Sequence, residues 1–287
     1  MDLENITQEQ FQQLLDAANQ GDANAQLVVG CLYYHGLSVE QSDAEAVKWL
    51  SKAAEQGNAK AQTKLSVLHE AGHGVPQSYE KAAKLLRKAA DQGFAEAQTS
   101  LGIYYRAGHG VPQSFEEAAK WLTKAAEQGE AEAQVLLGVL YGQGDGVPHS
   151  DEEALKYFKL AAEQGNEQAQ ELLELTEKNV KFTTEFPKLK AEYEELEDRM
   201  EHCTNFNEKC EILDKMKENR RKIAELTGES LEDEAEKTNT EGSGSGCMVL
   251  LALMLAPVIA AGGYCVYSLL SYPSFITICT INLYKSC

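Results

Sequence analysis

The stretch AGHGVPQSFEEAAKWLTKAAEQG, Ala107–Gly129, decides the fold because its parts recur along the chain at a fixed distance. Its first eight residues also stand at Ala71–Ser78. Its last glycine belongs to a series whose members follow one another by 36 residues: Gly21, Gly57, Gly93, Gly129 and Gly165. Self-similarity with a period of about 20 to 50 residues is typical of stacked repeats. The sequence therefore predicts a repeat architecture.

The second half of each repeat predicts an amphipathic helix. Ala118, Trp121 and Leu122 are spaced by three or four residues, which places them on one helical face. Ser114 followed by Glu117 predicts a capping box, in which each side chain bonds the backbone N–H of the other residue. Ser42 with Glu45 and Ser150 with Glu153 predict the same box, whereas Ser78 meets Lys81. A left-handed glycine is expected after each of these helices, at Gly57, Gly93, Gly129 and Gly165.

The first half of each repeat predicts another helix, as in AEAQTSLGIYY, Ala95–Tyr105. Gly102 lies in its middle, where glycine costs about 1 kcal/mol relative to alanine. The same position is always small, with Gly30, Ser66 and Gly138 in the other repeats. We therefore expect the two helices of a repeat to approach closely there. AGHGVPQS is then the turn between them, because it lacks the GxGxxG and GK[ST] patterns of phosphate-binding loops.

Three segments together carry a family resemblance: A-x-A-Q-x-x-L-G-x-x-Y, G-x-G-V-P-Q-S and E-E-A-x-K-W-L-x-K-A-A-E-Q-G. This pattern resembles the Sel1-like repeat family, whose members are related to tetratricopeptide repeats. The resemblance covers about half of the chain. It implies an all-α fold, an α/α solenoid of helical hairpins in which each repeat packs only against its neighbours. It also implies adaptor or scaffold work. Only Cys31 precedes residue 200, which argues against the cysteine-rich secreted branch of the family.

The period divides the chain into predicted domains. Residues 1–21 hold an N-terminal capping helix, and residues 22–176 hold the repeats. The repeats are expected at 22–57, 58–93, 94–129 and 130–165, with a partial repeat at 166–176 as the C-terminal cap.

Residues 177–227 predict a charged helical connector. Leu189, Tyr193, Leu196, Met200 and Cys203 form a heptad seam. A weaker seam is expected to follow at Cys210, Leu213, Met216 or Lys217, Arg220, Ile223 and Leu226. Two arrangements fit: a short coiled coil that joins two copies as a homodimer, or a helical hairpin packed on the end of the solenoid.

An apolar segment follows the connector. Residues 228–246 are acidic and then rich in glycine and serine, which predicts a flexible linker. Met248–Leu270 has no charged residue and would reach about 34 Å as a helix, enough for a hydrocarbon core of roughly 30 Å. We expect a transmembrane helix within 247–272 and a short tail at 273–287. A re-entrant hairpin is the alternative, because Pro257 interrupts the segment.

The place of this segment predicts a tail anchor. Only 17 residues follow Leu270, so the segment would leave the ribosome after chain release, and the repeats would face the cytosol. Cys247, at the expected membrane edge, is a candidate for S-palmitoylation. A stripe of small residues could associate with a second copy of the helix: Ala252, Ala256 and Ala260.

Charge and motifs exclude several classes of function. The 287-residue chain has 45 acidic and 26 basic residues, a net charge of −19, which repels nucleic acids. The sequence contains no HExxH, GxSxG or Walker motif, so we expect no enzyme and no cofactor. His73 and His109 share a position that Asp145 fills in the next repeat, and no second ligand stands at metal spacing. No metal site is therefore predicted.

We expect protein partners to bind the concave face of the solenoid at first-helix positions that vary between repeats. Tyr34, Glu70 and Arg106 fill one such position, and Lys64 and Ser100 fill another. Two alternatives stay open. The chain could be a regulatory subunit of an enzyme complex, or a bacterial secreted effector whose tail inserts into a host membrane.

Overall fold

A computed structural model describes residues 6–227 of the chain. The predicted linker (228–246), apolar segment (247–272) and tail (273–287) lie outside this range, together with Cys247, Ala252, Ala256 and Ala260. Residues 6–227 contain eleven α-helices and no strand. They divide into two compact parts, which we call the repeat domain (residues 6–170) and the connector (171–227). None of the helices described has both the length and the apolar composition that membrane crossing requires.

Nine complete helices form the repeat domain. Helix α1, Gln8–Asn19, precedes four helical hairpins in which a first and a second helix alternate. The first helices are α2 (Ala23–His35), α4 (Ala59–Ala71), α6 (Ala95–Ala107) and α8 (Ala131–Gln143). The second helices are α3 (Asp43–Glu55), α5 (Tyr79–Asp91), α7 (Phe115–Glu127) and α9 (Asp151–Glu163). Each helix packs against its neighbours in the chain, which confirms the predicted all-α solenoid of helix pairs.

A serine caps the second helix of each repeat. Of the two hydrogen bonds in each predicted capping box, however, only the one that the serine side chain accepts is formed. Ser114 Oγ accepts a hydrogen bond from the N–H of Glu117 at 3.2 Å, as predicted. The N–H of Ser114, however, donates to the carbonyl of Tyr105 in the preceding helix at 2.9 Å. Glu117 is thereby released from the box and pairs with Lys120 instead. The same backbone bond ties the capping serines of the other repeats: Ser42, Ser78 and Ser150.

Left-handed glycines end the helices of the repeats. The first helices end at Gly36, Gly72, Gly108 and Gly144, with φ of 67° to 76°. The next member of this series would be residue 180, which is Val180. Without the glycine the helix does not end, and α10 runs from Glu167 to His202. The helix therefore passes without a break through residue 176, where the sequence placed the end of the cap. The second helices are followed by Gly57, Gly93, Gly129 and Gly165, with φ of 85° to 89°.

A buried glutamine in each first helix bonds to both neighbouring helices. Gln98 Nε2 donates to the carbonyl of Ala90, in α5, at 3.1 Å. Gln98 Oε1 accepts from Gln128 Nε2, at the end of α7, at 2.7 Å. The side chain thus joins three consecutive helices, and its oxygen and nitrogen both have partners although Gln98 is buried. The other members of this glutamine ladder are Gln26, Gln62 and Gln134.

The small residue in each first helix makes room for a side chain of the second helix. A Cβ atom on Gly102 would lie 2.7 Å from Cγ of Leu122, and one on Gly138 would lie 2.6 Å from the ring of Phe158. Leu122 and Phe158 are both buried. The close approach inside a repeat is therefore between a helix and a large apolar side chain, and not chiefly between two backbones.

A second glycine in three of the four turns sets the contact between successive repeats. A Cβ on Gly110 would lie 2.3 Å from the backbone carbon of Tyr79, the first residue of the preceding repeat's second helix. Gly146 meets Phe115 in the same way. Ser38 fills this position in the first repeat and keeps a positive φ of 59°. No full repeat precedes it, and its Oγ donates to the carbonyl of Ile6.

The connector is a helical hairpin. Leu196 of α10 is buried against Ile212 and Met216 of α11, which spans Phe206–Thr227. Tyr193, Met200 and Cys203 pack on the same cluster. The weaker predicted seam is wrong at its start, because Cys210 and Leu213 are exposed. The buried stripe of α11 instead includes Ile212 and Asn219, and Asn219 Nδ2 donates to Glu192 of α10 at 3.2 Å.

Two glycine substitutions distinguish the effect on stability of the contact between repeats from the effect of backbone strain. Gly110 and Gly129 both have positive φ, which costs any other residue about 1–2 kcal/mol. Only Gly110 has a neighbour within 4 Å of the added Cβ. We expect Gly110→Ala to lower the free energy of unfolding by about 2 kcal/mol more than Gly129→Ala, because overpacking adds to the strain. Chemical denaturation followed by circular dichroism measures this, and equal losses would contradict the role of Gly110.

Candidate interaction surface

The predicted binding position at the end of the first helices lies where repeats meet. Tyr34, Glu70 and Arg106 are all partly buried. The ring of Tyr34 lies 6.2 Å from that of His73 in the next repeat. Glu70 Oε2 accepts a hydrogen bond from the hydroxyl of Tyr104 in the next repeat at 2.8 Å. Tyr34 and Glu70 therefore join repeats and also reach the surface.

The second predicted position is not on the surface. Lys64 and Ser100 are each only 5 % exposed. Lys64 Nζ lies 3.2 Å from Oε1 of Glu96, and Ser100 Oγ donates to the carbonyl of Glu96. The first helices lie between second helices, so this position faces the interior. The periodicity does not show this, because a polar side chain in a solenoid can find its partner in the next repeat.

The four turns form one continuous surface, which we call the turn edge. It comprises the last turn of each first helix, the turn itself and the start of the second helix: residues 34–45, 70–81, 106–117 and 142–153. Successive turns touch, as Gly110 and Tyr79 show. Tyr79 is 36 % exposed, and its ring lies 4.8 Å from that of His109. The turn edge thus presents aromatic rings to the solvent.

The turn edge is strongly acidic. It carries eleven carboxylates but only two basic side chains, Lys81 and Arg106. The other residues between 46 and 165 carry eleven basic and seven acidic side chains, which is the opposite balance. The acids of the repeats are thus concentrated at the turn edge, where four of them pair with a lysine one helical turn further along the second helix.

Hydrogen bonds keep several of these carboxylates ionised. A hydrogen bond from Lys48 lowers the pKa of Glu45. One from Lys84 lowers the pKa of Glu80. A hydrogen bond from its own backbone N–H lowers the pKa of Glu116. These three carboxylates therefore stay ionised to a lower pH than a free glutamate side chain does.

Histidines accompany the acids of the turn edge without forming a metal cluster. Burial lowers the pKa of His69, at the margin of the edge, and the charge of Lys81 lowers it further. His109 lies between the rings of Tyr79 and Tyr104. No group of three or more histidine, cysteine or acidic side chains suited to a metal ion occurs among residues 6–227. The turn edge therefore exposes aromatic rings and carboxylates, which are groups that can contact a partner protein.

The opposite edge, where the first helices begin, has two helices without a side-chain cap. The side chain of Asn58 caps α4 by accepting a hydrogen bond from the N–H of Ala61. Phe94 precedes α6 and Glu130 precedes α8, and neither side chain accepts such a bond. Burial raises the pKa of Glu130, and the charge of Glu96 raises it further. A half-buried carboxylate thus occupies the N-cap position of α8, where an asparagine would cap the helix and stabilise it.

Comparison with known families identifies the repeats. The Sel1 repeat profile matches residues 23–58, 59–94, 95–130 and 131–166. The chain belongs to the Sel1 repeat family. Each match covers one helical hairpin with its turn, and the four together cover half of the chain. The resemblance predicted from the sequence is confirmed for the repeats.

Two solved Sel1 repeat structures are similar to the chain. The first is c5321, a protective antigen of uropathogenic Escherichia coli strains with an SLR fold, at 38% identity and a TM-score of 0.55. The second is a Sel1 repeat protein from Oxalobacter formigenes, at 36% identity and a TM-score of 0.55. Each alignment covers 57% of this chain, and 35% and 66% of the two relatives. The chain thus spans about a third of one relative and two thirds of the other. No curated protein matches it.

Replacing Glu130 tests the uncapped edge of the Sel1 repeats. Glu130→Asn supplies a cap and is expected to raise the free energy of unfolding by about 1 kcal/mol. Because folding raises the pKa of Glu130, the ionised form is disfavoured in the folded state once the pH exceeds the unfolded pKa. The gain should therefore be larger near about pH 7 than near about pH 4, as measured by denaturation at both values. Glu127→Asn, on an exposed helix end, is the control, and an equal gain at both pH values would contradict the burial of charge at Glu130.

Proposed function

We propose that this Sel1 repeat chain is a non-enzymatic scaffold that binds another protein through the surface of its repeats. Sel1 repeat proteins are generally scaffolds for protein interactions. The observation that supports the same role here is the row Tyr34, Glu70 and Arg106. The backbone site is the same in each repeat, but it carries an aromatic ring, a carboxylate and a guanidinium in turn.

Such a row presents a different chemical group to a partner protein in each of these three repeats. Tyrosine and arginine are enriched among the residues that dominate interface energies. The ring of Tyr34 lies against those of His35 and His73, so less of its side-chain entropy is lost on binding. Lys64 and Ser100 are omitted from the proposed contacts because both are buried.

Truncating the row tests the proposed function. A Tyr34→Ala, Arg106→Ala double variant of the full chain should capture several-fold less of the partner identified with the wild type, because it lacks two anchors. Quantitative mass spectrometry of affinity captures measures this, with circular dichroism to verify the fold. The control is Lys60→Ala, Lys88→Ala, which changes two exposed residues elsewhere. Equal capture by all three proteins would refute the role of the row.

The finer proposal is that the apolar segment tethers the scaffold to a membrane. Its support is the uncharged run Met248–Leu270, which is long enough to cross the hydrocarbon core as a helix. Alkaline carbonate extraction of the full chain beside a truncation after Gly246 tests it. We expect the full chain in the membrane pellet and the truncation in the supernatant. Extraction of both proteins into the supernatant would refute the membrane tether but would not affect the scaffold proposal.

A further inference from the structure

We propose that helices α5 and α7 bind a phosphorylated side chain of the partner protein at a site formed by Arg87, Lys124 and the indole ring of Trp121. This inference rests on the proposed scaffold function and names a chemical group that the partner carries.

Two cationic side chains from different repeats meet on the indole ring of Trp121. The guanidinium carbon of Arg87, in α5, lies 5.0 Å from the centre of this ring, and Lys124 Nζ, in α7, lies 3.9 Å from it. Arg87 also donates a hydrogen bond to the hydroxyl of Tyr105 and lies 5.5 Å from that ring. Since Arg87 is held by these contacts and Lys124 is exposed, one ligand group can reach both charges.

Neither of these cations has a carboxylate partner. Asp91 follows Arg87, and Glu127 follows Lys124, by about one helical turn. In the part of the chain that the structure describes, however, no ion pair engages Arg87 or Lys124. The two positive charges lie near the same ring and repel each other, and an anion bound beside them would offset this repulsion.

The equivalent tryptophan of the first repeat has an oxyanion beside it. The indole N–H of Trp49 donates to Oε2 of Glu45 at 3.2 Å, and two lysines lie over its ring. The N–H of Trp121 is buried and has no acceptor within residues 6–227, and Glu117, the counterpart of Glu45, pairs with a lysine of its own helix. The third repeat thus combines an indole and two cations without the carboxylate that accompanies them in the first.

Charge and shape favour a phosphate group as the ligand. The planar guanidinium of Arg87 can donate two N–H groups to two oxygens of one oxyanion. A phosphorylated serine or threonine carries a charge of about −1.5 to −2 at pH 7, which offsets both cations, whereas a carboxylate offsets one. The net charge of −19 opposes binding to an extended anionic surface such as a membrane or a nucleic acid. A single phosphate on a protein is the source that these charges favour.

The fluorescence of Trp121 tests the site directly. The chain has two tryptophans, so the full-length Trp49→Phe variant leaves Trp121 as its only one. The probe is the blocked tripeptide Gly-phosphoserine-Gly, compared with Gly-Ser-Gly and Gly-Glu-Gly at equal ionic strength. We expect a saturable change in emission with the phosphopeptide at roughly millimolar concentration, and weaker or no binding of the other two. A phosphopeptide that binds no better than either of them would overturn the proposal.

Matched variants in the same background locate the binding. Arg87→Gln and Lys124→Gln should each weaken phosphopeptide binding about three- to tenfold, because each removes a charge-assisted hydrogen bond. Arg87→Lys keeps the charge without the planar fork and should lose part of the affinity. The control is Lys52→Gln, at the position of Lys124 in the first repeat, and circular dichroism verifies the fold. An equal loss with Lys52→Gln would show a non-specific response to charge and refute the site.

Two further measurements identify the source of the phosphate. Vesicles that contain phosphatidic acid, a lipid with a phosphate monoester, should not change the emission of Trp121. A larger response to these vesicles than to the phosphopeptide would refute a protein source. Phosphatase treatment of the partner identified with the wild type should lower its capture several-fold. If capture withstands the phosphatase, this inference fails and the scaffold function stands.

Discussion

The buried glutamine of each first helix is the interaction on which the solenoid depends. It accepts from the glutamine that ends the following second helix and donates to a carbonyl of the preceding one, as Gln98 does with Gln128 and Ala90. An apolar side chain could fill the same volume, but it would remove both hydrogen bonds between helices, and the carbonyl of Ala90 would keep only a local bond from the N–H of Gly93. Because both atoms of the amide need partners, the bond fixes the register of three helices at once. The position of each repeat is therefore set by its hydrogen bonds to the repeat before it.

Glycines then determine how closely the repeats stack and where stacking stops. Gly74, Gly110 and Gly146 allow the backbone of one turn to touch the preceding second helix. Ser38 has a side chain at this position because no complete repeat lies before it. At the other end, Val180 replaces the glycine that would end a first helix. The helix continues through residue 176, so a local change of residue ends the repeat series.

The surface charge follows from this stacking. In one hairpin the acids at the start of the second helix are an ordinary response to the helix dipole. Four hairpins in register place those acids, the acidic turn residues and exposed rings such as Tyr79 along a single edge. Stacked repeats can thus present a long surface on which acids and an exposed ring recur.

The sequence by itself determined the helices, their caps, the number of repeats and the family, because these depend on groups within a single 36-residue period. Ser114 and Gly108 act on residues close to them in the chain, and their pattern predicts the local structure that forms. Only the tertiary structure decided which groups meet across a junction. It buried Lys64 and Ser100, gave the N–H of Ser114 to a carbonyl of another helix, and moved the seam of α11 from Leu213 to Ile212. The physical reason is that a hydrogen bond or a buried face is assigned by whichever group lies opposite in space, and periodicity does not specify that neighbour.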